Sequence, residues 1–256
     1  RSRRQRQMCI RDRYYHRVSI ENMNSIRYLF LPIIALIAPL LLVATQPDLG
    51  TSILIAAGGI IVAWLAGVRI KFFVYSSIAF LSLLPVAISF LKPYQKSRIL
   101  TFLNPERDPL GAGYQIIQSK IAIGSGGLFG KGFLNGSQSY LDYLPEKHTD
   151  FIFTLFSEEF GFFGSLSILL LYALIISRIV KIGTLTRSTF GKLYCYSFAT
   201  AFFIYVVVNM MMVLGLLPIV GSPLPIMSYG GSSMMAIMFG LGIVMSCKIH
   251  KDTPVN

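Results

Sequence analysis

The chain has 256 residues, 54% of them hydrophobic and only 13% charged, whereas a soluble domain carries roughly 25% charged residues. With a mean hydropathy of +0.64, this composition argues against a soluble globular protein and for a membrane topology. The 23 Lys and Arg outnumber the 11 Asp and Glu, for a net charge of +12. In a soluble chain that excess would point first to nucleic acid; in so apolar a chain it reports topology instead.

The first thirteen residues, RSRRQRQMCIRDR, hold six arginines and one aspartate and supply +5 of the net charge with no apolar periodicity. They read as a non-native segment resembling translated adapter DNA, so residues 1–13 are set aside and 14–256 is taken as one membrane domain. Cys9, Cys195 and Cys247 have neither pairing nor metal-ligand spacing, which leaves cysteine chemistry aside.

A membrane span needs about 20 mostly apolar residues. Six stretches qualify, at about 28–46, 52–68, 72–91, 151–179, 193–213 and 230–247. Arg69 and Lys71 lie between the second and third spans; Arg178, Lys181, Arg187 and Lys192 between the fourth and fifth; Lys248 and Lys251 after the sixth. The links 46–51 and 215–229 contain no Lys or Arg. By the positive-inside rule both ends are cytoplasmic and these two links external. The expected fold is therefore an all-α polytopic membrane helix bundle.

One long connection, residues 92–150, falls on the external side with seven Lys or Arg and five Asp or Glu. Structureless loops of this length are uncommon and usually functional. Within it Tyr114–Ile123 reads as a helix whose stripe of Ile116, Ile117, Lys120 and Ile121 suggests an interfacial or re-entrant element. The run Gly124–Gly132 fails as a nucleotide loop: Gly132 follows Lys131 where a Walker loop needs Ser or Thr, and Phe129 replaces the last glycine of a dinucleotide fingerprint. Two readings stay open for this run, with Ser125 and Lys131 in it: a backbone cradle for a lipid diphosphate, or plain loop flexibility.

Acidic residues at membrane borders are costly and usually retained for function. Glu158 and Glu159 sit about eight residues into the fourth span, as a structural buried pair or as substrate contacts. The densest cluster is Asp142-Tyr-Leu-Pro-Glu146-Lys-His148-Thr149-Asp150. Asp150 precedes Phe151 and first reads as an N-cap, although a carboxylate at that border could also accept a proton from a lipid-linked substrate. Gln95, Lys96 and Arg98 follow the third span; they either snorkel to headgroups or recognise a diphosphate, with Arg98 suited to bidentate contact. Ser228, Gly230 and Gly231, in the sequence Leu224-Pro-Ile-Met-Ser-Tyr-Gly-Gly-Ser-Ser233, open the sixth span with small residues that suit headgroup approach or tight helix packing.

The segments QPDLGTS (46–52), PERDPLGAGYQIIQSKIAIGSGGLFGKG (105–132), LPEKHTDFIF (144–153), EEFG (158–161) and PLPIMSYGGSS (223–233) together resemble the SEDS family (RodA, FtsW, SpoVE), most closely its RodA branch, from about Leu29 to Lys251. The resemblance implies a ten-span protein of which these are the last six spans, so that the chain reads as an N-terminally truncated fragment. It implies polymerisation of lipid II into glycan strands in the bacterial inner membrane, beside a class B penicillin-binding protein and other elongation-complex membrane proteins, with no nucleic-acid partner. By matching positions it makes Asp150 the catalytic acidic residue, reversing the cap-first reading, matches Asp142 to a second acidic position of the loop, and aligns Gln95 and Arg98 with polar residues required after the seventh span. The absence of a Lys in Pro218–Pro223 favours elongation over septation.

The mechanism expected from the resemblance is an inverting transfer with Asp150 as general base. The departing diphosphate would be stabilised by Arg98, Lys96 or Lys120, or by a divalent cation (Mg or Mn) held with Asp142, Glu146 or Asp150. A lipid II flippase using Glu158 and Glu159, and a structural scaffold, stand as the alternatives.

Overall fold

The computed structural model describes residues 34, 36–43, 49–89, 96–97, 100–102, 104, 111–137 and 148–251. Among them every regular element is helical. In chain order these are α1 (Leu49–Leu65), α2 (Ile70–Ser89), α3 (Ala112–Ser125), α4 (Ile152–Leu185), α5 (Thr189–Val213) and α6 (Gly231–Ile249). Residues 34 and 36–43, in the first expected span, are helical as well. Among the described residues α4, α5 and α6 are long and apolar enough to cross a membrane, and Gly50–Leu65 of α1 is a shorter apolar helix.

The expected spans fall on these helices with shifted ends. The largest shift is in α4, a 34-residue stretch interrupted at Gly161 that runs on to Leu185, beyond the expected end at 179. It carries Arg178 and Lys181 inside the helix, and α5 likewise takes in Lys192, so Arg187 alone of the four expected link cations sits between helices. Long basic side chains can extend from a helix end toward the headgroups, which lets the helix continue past them.

The chain forms two compact units. The first comprises Arg1–Gln95, Ile179–Ala201 and Met238–Asn256. Its apolar core joins Val62 and Val68 to Leu193, with Phe72 and Phe73 packed against them. Small residues bring its helices close: a Cβ at Gly240 would strike the Phe198 ring, and the Tyr194 hydroxyl donates to the Gly240 carbonyl at 3.5 Å. Packing of this kind suits helices that gain little from the hydrophobic effect in lipid.

The second unit comprises Lys96–Arg178 and Phe202–Ile237 and holds the polar features that concern function. Helix α3 buries the face Gly113, Ile116, Ser119 and Ala122, a different stripe from the one expected, since Lys120 and Ile121 are exposed. The reason is polar. Ser119 Oγ donates to the Val213 carbonyl at 2.7 Å and lies 2.9 Å from Thr154 Oγ1. With its one proton spent on Val213, Ser119 accepts from Thr154, tying α3 to α4 and α5.

Candidate active site

Helix α4 begins at Ile152, one residue later than expected, so Asp150 stands just outside its first turn. Residues His148, Thr149 and Asp150 form a turn whose three carbonyls are each bound from the segment 209–229. The Tyr229 amide donates to the His148 carbonyl at 2.9 Å. Ser228 Oγ donates to the Thr149 carbonyl at 2.6 Å. Asn209 Nδ2 donates to the Asp150 carbonyl at 2.9 Å. Ser228 and Asn209 are buried, where each bond is electrostatically stronger than in water and its loss more costly. His148 is exposed, and Thr149 and Asp150 are half-buried, so the backbone of the turn is fixed while its side chains remain at least partly open to solvent.

The opposing wall is the loop 214–230. It enters through Gly215, with φ of 68°, and turns again at Gly221, with φ of 66°, in the left-handed region that favours glycine. Asp150 Oδ2 lies 3.5 Å from the position a Cβ at Gly221 would take. Lys120 Nζ lies 2.8 Å from the corresponding position at Gly215. One acid and one cation therefore line the same loop. The buried hydroxyl of Ser228 accepts from the Leu224 amide at 2.7 Å while donating to Thr149, and the Tyr172 hydroxyl in α4 donates to the Pro225 carbonyl at 2.6 Å. Ile226, a β-branched residue at φ of 69°, is an outlier held by these bonds, the kind of strain that concentrates at functional loops.

The glycine run following α3 has a structural task. In α4, Gly161 adopts φ of 65° and ψ of −159°, a conformation essentially reserved for glycine, and the helix is interrupted there. The bonds from the amides of 162 and 163 to the carbonyls of 158 and 159 are the ones such a break removes. The strap 126–136 replaces them. Lys131 and Gly132 donate their amides to the carbonyls of Glu158 and Glu159 at 3.0 and 2.9 Å, and the amides of Phe162 and Phe163 donate to the carbonyls of Gly127 and Leu128 at 2.9 and 3.2 Å. Such close approach requires glycine: a Cβ at Gly130 would collide with the Glu159 carbonyl, and one at Gly161 with the Gly130 amide. The amides that a diphosphate cradle would need at Lys131 and Gly132 are thus engaged by α4.

Glu158 is fully buried, and its Oε1 accepts from Lys131 Nζ at 2.7 Å and from Ser137 Oγ at 3.0 Å. Its charge partner is thus a Lys from the strap. Glu159 is half-buried. Ser125 Oγ donates to the Ala122 carbonyl at 2.8 Å, Lys96 is exposed, Gly230 half-buried, and Gly231 exposed at the start of α6. Gln95, Arg98, Asp142 and Glu146 lie outside the described residues. Among the described residues no group of three His, Cys, Asp or Glu is placed to hold a metal ion.

Asn209 was not anticipated. Its signal was present, as a lone carboxamide in the apolar run Phe202–Val213, where a polar side chain is expensive and calls for partners.

Residues 8–253 match the family model for FtsW, RodA and SpoVE, described as "Cell cycle protein". The chain is 49% identical over 220 residues to the peptidoglycan glycosyltransferase MrdB of Escherichia coli strain K12, covering 86% of this chain and 60% of that protein. It thus spans about three fifths of the length of that relative. Its fold is similar to a chain in the solved structure described as "Structural coordination of polymerization and crosslinking by a peptidoglycan synthase complex", with a TM-score of 0.78, 30% identity, and 96% of this chain and 67% of that one covered. It is also similar to the rod shape determining protein RodA of Thermus thermophilus, with a TM-score of 0.59, 25% identity, and coverage of 91% and 61%. The chain belongs to the FtsW, RodA and SpoVE family of membrane proteins.

Proposed function

We propose that this protein is a peptidoglycan glycosyltransferase that polymerises lipid II during cell-wall elongation. The names of its relatives support the activity, and the observation that carries the assignment of a base is the braced turn at Asp150. A general base must hold its position relative to the attacking hydroxyl, and the bonds from Asn209 and Ser228 restrain the backbone on which the carboxylate stands.

In this reading the 4-hydroxyl of an acceptor N-acetylglucosamine attacks the anomeric carbon of the donor N-acetylmuramic acid. Asp150 accepts the hydroxyl proton, and undecaprenyl diphosphate departs with the electron pair of the broken bond. Inversion follows from attack opposite the leaving group. Lys120, which lies against Gly215 of the loop that passes Asp150 at Gly221, is the described cation best situated to stabilise the diphosphate, with Lys96 and Arg98 as further candidates. His148 and Thr149 frame the base, and Ser228 acts through the backbone of the turn.

The turn faces the external side of the bacterial inner membrane, with both ends of the chain cytoplasmic, as the charge distribution of the links implies. A class B penicillin-binding protein is the proposed partner, in keeping with the similarity to a chain from a complex that couples polymerisation to crosslinking. The flippase alternative requires acidic groups free to carry protons or headgroups along a path through the membrane; the ion pair of Glu158 with Lys131 weighs against it.

The test is polymerisation of labelled lipid II by purified full-length protein. The Asp150→Asn variant should form no glycan chains while retaining the wild-type thermal midpoint, and wild-type polymerisation by it would refute the assignment. Chelation in the same assay decides whether a divalent cation at Asp142, Glu146 and Asp150 takes part: activity lost on chelation and restored by Mg or Mn supports it, and unchanged activity excludes it.

A further inference from the structure

Helix α4 changes character at its break. Residues 152–158 are buried or half-buried, whereas from Phe160 onward exposed positions dominate and, Ser167 and Ser177 apart, are apolar up to Arg178, including Phe162, Phe163, Leu166 and Leu170. Glu158 and Glu159 on one side and Arg178 on the other bracket 18 residues without charge, about 27 Å of helix, close to the ~30 Å hydrocarbon thickness of a bilayer. The apolar membrane-crossing part of α4 therefore begins at Gly161, and the preceding turns are packed in protein.

The strap is hydrogen-bonded to this boundary through Glu158, Glu159, Phe162 and Phe163. Its own apolar side chains point outward: Phe129 is 80% exposed, Leu134 70% and Phe133 69%. They continue the exposed face of α4 without a gap, because the Phe129 ring lies 5.5 Å from Phe163 and the Phe133 ring 6.3 Å from Phe160. The one charged side chain of the strap, Lys131, is turned inward onto Glu158.

We infer that the strap 126–136 is a membrane-seating collar, whose Phe129, Phe133 and Leu134 insert into the outer leaflet at the boundary between headgroups and acyl chains. The occupant of this surface is lipid, since the patch is continuous with the lipid-crossing face of α4 and lies at the depth where that face begins. Aromatic side chains are the ones favoured at this level of a bilayer. The bonds to α4 engage the amides of Lys131 and Gly132 and the carbonyls of Gly127 and Leu128, which lowers the cost of holding irregular backbone near the hydrocarbon. The collar would set the height of α4, and of the turn at Asp150 before it, relative to the headgroup layer.

The experiment places a single fluorophore on the collar. Phe129→Trp is introduced into a full-length background in which Trp64, the one tryptophan of these 256 residues, and every tryptophan elsewhere in the protein are replaced by Phe, and that protein is embedded in nanodiscs. Lipids brominated near the glycerol end of the acyl chain should quench its emission at least twofold, with weaker quenching by lipids brominated near the chain terminus and little by aqueous iodide. Leu170→Trp, in the middle of α4, serves as the reference for the deeply brominated lipid. Quenching of the Phe129→Trp variant by iodide and not by bromolipid would place the collar in water and overturn the inference. Absence of quenching by either would place it against protein and overturn it equally. Leu134→Trp repeats the measurement at the other end of the strap, so a poorly folding Phe129→Trp variant does not decide the outcome.

Discussion

Asn209, fully buried in α5, uses its one amide nitrogen to bridge the carbonyl of Asp150 at 2.9 Å and that of Ser222 at 2.7 Å. Both partners can only accept, so chemistry fixes which end of the carboxamide faces them. The candidate base and the wall facing it are thereby held by a single side chain.

Replacing Asn209 with Leu keeps the volume and removes both donors. Each carbonyl left without its bond costs about 1–3 kcal/mol, and the turn gains freedom. Lipid II polymerisation by Asn209→Leu should fall more than tenfold, chiefly in kcat with a small change in KM, because the loss affects the position of the base more than substrate binding. The lost bonds lower the thermal midpoint as well, so kcat is read at a temperature where the variant is still fully folded, which separates a positioning role from unfolding.

Gly221→Ala puts a methyl group in ordinary contact with Asp150 Oδ2, at 3.5 Å, on a backbone with φ of 66°. The left-handed conformation costs a non-glycine residue roughly 1–2 kcal/mol. Activity should drop severalfold together with a measurable fall in thermal midpoint. Gly231→Ala, where an added Cβ meets nothing within 4 Å, should leave the stability near wild type.

The pair Lys131–Glu158 gives a stability prediction with a known sign. Removing Lys131 strands a carboxylate that is fully buried, and breaking a buried pair from one side typically costs about 3–5 kcal/mol. Lys131→Met should therefore destabilise strongly, and Lys131→Met combined with Glu158→Gln should recover most of the loss. A double-mutant cycle on unfolding free energies reads the coupling. If these residues contact substrate instead, the single variants would raise KM with stability unchanged.

Gly130→Ala would force a Cβ into the Glu159 carbonyl and dislodge the strap from the break in α4. Hydrogen exchange at the amides of residues 131, 132, 162 and 163 should accelerate together, since each is a partner in the same set of bonds. Acceleration confined to 131 and 132 would mean that α4 closes its break and re-forms its own helical bonds.

Much of this protein was legible in its residues alone. Helix class and approximate span positions follow from apolar runs, because a bilayer demands about 20 apolar residues and internally satisfied backbone. The motif around Asp150 and its resemblance to a membrane family follow from side-chain identity. What composition and spacing did not carry was contact across long separations. The glycines of 124–132 read equally well as a cradle or as slack, and only the conformation of Gly161, some thirty residues on, shows what they are small for. Glu158 had no visible partner until the chain returned Lys131 to it, and Asn209 had no visible task until α5 brought it beneath the turn at Asp150. Local periodicity depends on each residue's own relation to lipid or water, whereas a buried polar group is defined by whichever distant partner the fold supplies.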